Sequence, residues 1–169
     1  RAELSRLEEA VANAASECVR KRRMQHSCCT EITVFAYTSR FRLDLPQHCI
    51  NRTIHLQVPT NDLQELVSTA VRAVRMDFRK EGSYQYKKAG VIVWNIVPDS
   101  AIQTNLFDTI DRDKQSRLAA AIDAINRKNG HNTIKVAVQG TTDKSWHLKC
   151  EHISKQYTTN LDDIITIAL

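Results

Sequence analysis

The chain has 169 residues, 42% of them apolar and 25% charged, which bounds it to one medium or two small globular domains. Apolar runs such as Val91–Trp94 and Ile164–Ile167 fall far short of the ~20 residues needed to cross a bilayer, and no signal-peptide core opens the sequence, so neither a membrane span nor a secretory leader is expected. The net charge of +5 is unevenly placed, with 15 Lys and Arg against 10 Asp and Glu in residues 1–98 but 9 against 9 in residues 99–169, a footprint for phosphate that proteins without nucleic-acid partners also carry.

Leu4, Leu7, Val11, Ala14, Ala15, Cys18 and Val19 recur at helical spacing and predict a helix to about Met24. Its last turn carries Arg20-Lys21-Arg22-Arg23, where the carbonyl end of the helix favours positive charge by typically ~0.3–1 kcal/mol each. From Glu31 to Thr38 the period changes to two, with Ile32, Val34 and Ala36 alternating with Thr33, Phe35 and Tyr37. After a loop over Ser39–His48, Ile54, Leu56 and Val58 alternate with Thr53, His55 and Gln57 in a second strand whose polar face is solvated or ligand-facing. Pro59-Thr60-Asn61-Asp62 stops it, and Asn61 with Gln64 three residues on predicts a capping box for a helix striped by Leu63, Leu66, Val67, Ala70, Val71, Val74 and Phe78, ended by Gly82. A third strand spans about Tyr86–Ile96, with Ala89, Val91 and Val93 on one side and Lys88, Gly90, Ile92 and Trp94 on the other.

This order of elements predicts an α+β fold in which two amphipathic helices cover one face of a small antiparallel or mixed sheet and leave the other face open for binding. Pro98–Asp113 shows no sustained period and reads as a linker. Beyond it, Leu118, Ala121, Ile122 and Ile125 predict a third helix closed by Asn129-Gly130, and Thr133–Val138, Trp146–Lys149 and Ile164–Ile167 are short strand candidates. Fewer than 60 residues make a marginal core, so this small second α+β unit is expected to lean on the first or on a partner.

The linker holds Gln103-Thr104-Asn105-Leu106-Phe107, a Leu-Phe pair in a polar setting. Burying both side chains contributes ~3–6 kcal/mol before ordering costs, either against their own domain or in a partner's pocket. The five cysteines, Cys18, Cys28, Cys29, Cys49 and Cys150, are odd in number and irregularly spaced, which suits reduced thiols in a cytoplasmic compartment. His26, Cys28, Cys29, His48 and Cys49 lack the spacing of a zinc site, since adjacent cysteines reach one tetrahedral ion poorly. The four glycines are isolated and form no phosphate loop, and the close carboxylate pairs Asp111/Asp113 and Asp162-Asp163 suit a helix start and a surface turn rather than a two-metal site.

Gln103–Phe107 resembles the Gln-x-x-Leu-Phe peptide by which bacterial polymerases dock on the sliding clamp. Together with Tyr86-Lys87-Lys88-Ala89-Gly90-Val91 before it, and Gly130–Gln139, Gly140, Trp146–Lys149 and Tyr157-Thr158-Thr159 after it, the chain resembles the C-terminal half of UmuC-type Y-family translesion DNA polymerases over essentially its whole length. The resemblance implies a little-finger DNA-binding domain at 1–97, a linker with the clamp peptide at 98–112, and a UmuC-type C-terminal domain at 113–169. It implies an error-prone, SOS-type DNA repair role for the parent polymerase, with Mg²⁺ held by a palm that this fragment lacks, so that the fragment is inactive alone and carries no catalytic, cofactor or metal residues.

The implied partners are DNA, the sliding clamp, a cleaved UmuD dimer and RecA. Thr38, Ser39, Arg40, Arg42, Arg52, Thr53, Lys87 and Lys88 are the implied backbone contacts, and five engaged phosphates give a salt slope of roughly −4 to −5. The family's little finger opens with a strand before its first helix, a strand this chain does not include, so one sheet edge is expected to be unprotected. At 104 and 105 the family more often has Leu and a small or acidic residue, which implies weakened docking. The rival reading is a protein-interaction module with a basic face and no DNA role.

Overall fold

The structure, a computed structural model, describes residues 2–79, 82, 84–101, 108 and 110–140. Helix α1 (Ala2–Met24) leads into β1 (Ser27–Thr38), β2 (Cys49–Thr60), α2 (Leu63–Asp77) and β3 (Tyr86–Pro98), followed after a short 3₁₀ turn by α3 (Arg112–Asn129). The three strands form one antiparallel sheet in the order β2-β1-β3, with β1 central. No helix among the described residues is long and apolar enough to cross a membrane.

Register fixes which side chains share a face. Ile32 lies between Ile54 and Val93, Val34 between Arg52 and Val91, and Ala36 between Ile50 and Ala89. These branched side chains meet Leu7, Val11, Ala15 and Val19 of α1 and Leu66, Val67, Ala70 and Val74 of α2 in one buried core. Burying a side chain such as Leu7 or Leu66 contributes ~1.5–3 kcal/mol, and both are fully buried. Ion pairs tie the edges of this layer: Arg75 of α2 donates to Glu8 of α1 at 2.6 Å, and Arg52 of β2 forks onto Asp77 at the end of α2 at 2.6 and 2.9 Å.

The α2 cap lies one residue later than the sequence pattern predicts. Asp62, not Asn61, accepts the Glu65 backbone N–H at 2.9 Å, because the Asn61 amide is committed to the Ser27 carbonyl of β1. Thr60 completes the junction, its hydroxyl donating to Glu65 and accepting the Asp62 N–H. The helix ends at Asp77 with Phe78 as its cap, ahead of Gly82. All three strands run beyond their predicted limits, since cross-strand pairing continues past the alternating apolar residues.

Helix α3 begins where Asp111 caps it through the Lys114 N–H and ends at Gly130, whose φ of 104° needs the freedom of glycine. None of its residues is buried. Polar contacts hold it to the sheet unit: Arg112 reaches both Glu65 and Asp108, Arg23 reaches Asp123 at 2.7 Å, and His131 meets Glu17 at 2.7 Å. Burial alone would depress the Arg112 guanidinium, but the hydrogen bonds it donates to Asp108 and Glu65 hold it charged well above its ordinary range.

The strand expected over Thr133–Val138 is absent there. Asn126 takes both the N–H and the carbonyl of Ile134, and the Gln139 side chain takes the Val136 N–H, so the backbone closes into turns and a 3₁₀ turn at Ala137–Gln139. Gln139 is buried against α1 through Asn13. The strand candidates Trp146–Lys149 and Ile164–Ile167 and the carboxylates Asp162-Asp163 lie outside the described residues.

Candidate nucleic-acid interface

The sheet face turned away from the helices is built from the alternate positions of the same strands. Across it run His55, Glu31 and Trp94, then Thr53, Thr33 and Ile92, then Asn51, Phe35 and Gly90, then Cys49, Tyr37 and Lys88. All but His55, Gly90 and Lys88 line a shallow concavity of about 840 Å³ together with Arg40 and Asn95. Phe35 and Tyr37 stack with ring centroids 6.1 Å apart, and the Phe35 ring fills the space above Gly90, where a Cβ would come within 2.6 Å of it. A side chain at 90 would therefore have to displace the Phe35 ring.

A short hydrogen-bond chain stiffens the middle of this face. Trp94 donates its indole N–H to the Thr33 hydroxyl at 2.8 Å, and Thr33 and Thr53 share a hydrogen bond at 2.7 Å. Trp94 remains half exposed while its ring edge is fixed, an arrangement that suits a stacking platform. Toward one end the face is polar, with His55 beside Glu31 at 3.3 Å. Toward the other it is cationic, because Lys87 and Lys88 sit in a β-bulge: Tyr37 pairs with Lys88 and Thr38 with Tyr86, leaving Lys87 as the extra residue. The Lys88 ammonium lies 6.0 Å from the Tyr37 ring centroid.

The structure separates the eight residues expected to contact DNA into distinct groups. Arg40, Lys87 and Lys88 are exposed at the cationic end and make no ion pair among the described residues. Thr53 lies on the open face, and Ser39 flanks it at the strand end. Arg42 is exposed but folds onto Asp44 in a two-pronged pair at 2.7 and 2.8 Å, which neutralises it locally and holds the Asp44 carboxyl below its usual range. Arg52 points to the helix-bearing side and is bound to Asp77, whose carboxyl is lowered by that hydrogen bond. Thr38 is buried, its hydroxyl donating to Gln47 at 2.7 Å and accepting the His48 N–H at 3.2 Å.

Three uncommitted cations thus stand where five were expected. Alternation along β2 placed Arg52 with Ile50 and Ile54 rather than with Thr53, a signal present in the sequence. Phe35, Tyr37 and Trp94, to which the sequence pattern gave no role, all line the open concavity, Phe35 and Tyr37 toward its cationic end and Trp94 at its polar end.

The other candidates are placed as follows. Cys28 and Cys29 are buried at the start of β1, their thiols pushed up to about 11 by burial, whereas His48 and Cys49 lie at the opposite end of the same strand pair. Among the described residues no group of three or more His, Cys, Asp or Glu is arranged to hold a metal ion. Asp111 spends its carboxylate on the α3 cap. Gln103, Thr104, Asn105, Leu106 and Phe107 lie outside the described residues.

Comparison with known families and proteins bears on this surface. Residues 2–106, which contain the whole sheet unit, match the impB/mucB/samB family C-terminal domain, and residues 116–167 match a domain of unknown function, DUF4113. The chain is 30% identical over 162 residues to protein UmuC of Salmonella typhimurium, covering 95% of this chain and 38% of that protein. It is 31% identical over 159 residues to protein ImpB of Salmonella typhimurium (94% and 37%) and 31% identical over 158 residues to protein MucB of Escherichia coli (93% and 36%). The chain therefore spans under two fifths of the length of these relatives.

Proposed function

The chain belongs to the impB/mucB/samB family as its C-terminal domain, and from that premise we propose that it is the DNA-gripping and partner-docking part of a UmuC-like, error-prone translesion DNA polymerase. The observation that carries the reading is the open sheet face, with Arg40, Lys87 and Lys88, unpaired among the described residues, beside Phe35 and Tyr37 and with Trp94 farther along the same face. Cations that meet phosphate oxygens hold a duplex without reading its sequence. That property suits an enzyme that must travel across damaged bases, because the grip does not inspect them.

In this reading residues 1–97 are the DNA-binding domain, 98–112 carry the clamp peptide and 113–169 present a surface to accessory proteins, a cleaved UmuD dimer and RecA among them by family resemblance. Gln103, Leu106 and Phe107 anchor the clamp, and a tether of this kind replaces bulk concentration with a local one, which makes a weak DNA site effective. The parent's Mg²⁺ chemistry belongs to a palm outside this chain. Asp111 and Asp113 open α3 and do not form a two-metal cleft, so no catalytic step is assigned to them.

The test is binding of the 169-residue chain to duplexes of unrelated sequence across a salt series. Three engaged phosphates give a slope of log K against log salt of roughly −2 to −3, equal for all sequences. Absence of binding at low salt would leave the basic end to another partner. For the clamp peptide, Leu106→Ala with Phe107→Ala should abolish capture by immobilised clamp and leave the DNA slope intact.

A further inference from the structure

The loop joining β1 to β2 presents the two most exposed large apolar side chains among the described residues, Phe41 at 95% and Leu43 at 87%. It is not a loose segment. The Arg42 N–H bonds the Ser39 carbonyl at 3.3 Å and the Leu45 N–H bonds the Arg42 carbonyl at 3.1 Å, giving two successive turns. The Gln47 amide then staples the interior, donating to the Arg42 and Leu45 carbonyls at 2.9 and 3.0 Å while accepting from Thr38 at 2.7 Å. Arg42 and Asp44 close on each other alongside. The polar groups of the loop satisfy one another, and Phe41 and Leu43 are held outward with their apolar surface in water.

A loop organised in this way holds apolar area in water, which calls for an occupant. Its surroundings identify the kind. Arg40 precedes Phe41 directly and lines the open-face concavity with Tyr37 and Cys49, and the Lys87-Lys88 bulge pairs with the last residues of β1. Among the described residues Arg40, Lys87 and Lys88 at this end have no acidic partner, and Asp44 is used by Arg42. An aromatic tip that follows Arg40 directly, at the cationic end of a face carrying Phe35 and Tyr37, fits an unstacked nucleotide, whose base offers the same kind of π face in any sequence and whose phosphate matches Arg40 and the lysines.

We propose that the Phe41/Leu43 tip is a base-stacking wedge that engages an unpaired nucleotide of DNA where single strand meets duplex, with Arg40 holding the adjoining phosphate. This rests on the DNA reading above and adds to it a preference for junctions, since phosphate contacts alone do not distinguish a blunt duplex from one with an overhang. One base stacked on an aromatic side chain changes affinity by about 5- to 150-fold.

The experiment compares the 169-residue chain on a blunt duplex and on the same duplex with a single-stranded overhang, by fluorescence anisotropy with the dye at the far end. The expected result is tighter binding to the overhang substrate by about 5- to 150-fold. Phe41→Ala with Leu43→Ala should erase that preference while leaving blunt-duplex affinity and salt slope unchanged, and Phe41→Trp should retain it. Both residues are solvent-exposed, so an unchanged melting temperature verifies that the double variant is folded. A preference that survives in the double variant, or none in the wild type, overturns the wedge while the phosphate grip stands. Failure of the wild type to bind either substrate overturns the DNA reading itself.

Discussion

The two faces of the β2-β1-β3 sheet are written in alternate letters of the same strands, yet they obey different constraints. Inward positions Ile32, Val34 and Ala36 are fully buried under two helices, where shape and volume leave little freedom. Outward neighbours Thr33, Phe35 and Tyr37 meet hydroxyl, aromatic and cationic partners, and Phe35 and Tyr37 are only partly covered. One face carries the stability and the other is left free to carry recognition. Substitutions one residue apart should therefore separate the two properties.

The largest effect is expected on the inward face. Ile32→Ala should destabilise the fold by ~2–5 kcal/mol, through lost burial and a residual cavity, read as a lower denaturant midpoint. The salt slope for DNA, measured where the variant is still folded, should not change. A stable variant with impaired DNA binding would break the division of faces.

Removing the outward cations should do the converse. Arg40→Ala, Lys87→Ala and Lys88→Ala together should bring the slope of log K against log salt from roughly −2 to −3 to near zero, since each engaged phosphate contributes about 0.9 on duplex DNA. Arg52→Ala is the informative control. Its guanidinium is held by Asp77 on the helix-bearing side, so it should lower the melting temperature slightly and leave the slope alone. A slope that fell with Arg52→Ala would place that arginine on DNA and redraw the interface.

Thiol chemistry sharpens the comparison further. Cys49 is exposed and lines the open concavity, whereas Cys28 and Cys29 are buried with their thiols pushed up to about 11, and Cys18 is also raised by burial. Among these four, N-ethylmaleimide should label Cys49 fastest by peptide mass mapping. Saturating duplex should slow that labelling selectively. Undiminished labelling with bound DNA would move the nucleic acid off this face.

The sheet unit was legible in the sequence because burial on one side imposes a period that the chain cannot hide. Ile32, Val34 and Ala36, with Ile54 on β2 and Ala89, Val91 and Val93 on β3, were readable from alternation alone, and so were the stripes of α1 and α2. What the sequence left obscure was how each polar group is spent. Nothing in a one-dimensional pattern shows that Arg42 closes on Asp44, that Thr38 serves Gln47, or that Asn61 is drawn to Ser27 and yields the cap to Asp62. Helix α3 was readable from Leu118, Ala121, Ile122 and Ile125, but its attachment was not: none of its residues is buried, and Arg112, Arg23 and His131 make the contacts to partners distant in the chain. Polar pinning of this kind leaves no pattern that names the partner.

The smallest effect concerns the cationic end of the open face, where the two faces meet. His48 Nδ1 lies 2.7 Å from the Tyr86 hydroxyl, and the Tyr84 ring packs 4.8 Å from the imidazole. Burial pushes the Tyr86 phenol up to about 12, so it stays protonated and donates to a neutral imidazole. Burial, then the charge of Arg79, lower the His48 pKa, against a smaller opposing pull from Asp77. A base whose folded pKa is depressed binds fewer protons folded than unfolded, so stability is full above the ordinary histidine range and declines as pH falls through about 6.5 toward the lower folded value. The melting temperature should therefore drop modestly between pH 7.5 and 5.5, and His48→Gln, which keeps an acceptor for Tyr86 but cannot titrate, should flatten that drop. Because His48 closes the Phe41 loop through its backbone pairing with Thr38, junction preference should weaken over the same interval in the wild type and not in the variant. An equal pH dependence in both proteins would detach the loop from this histidine.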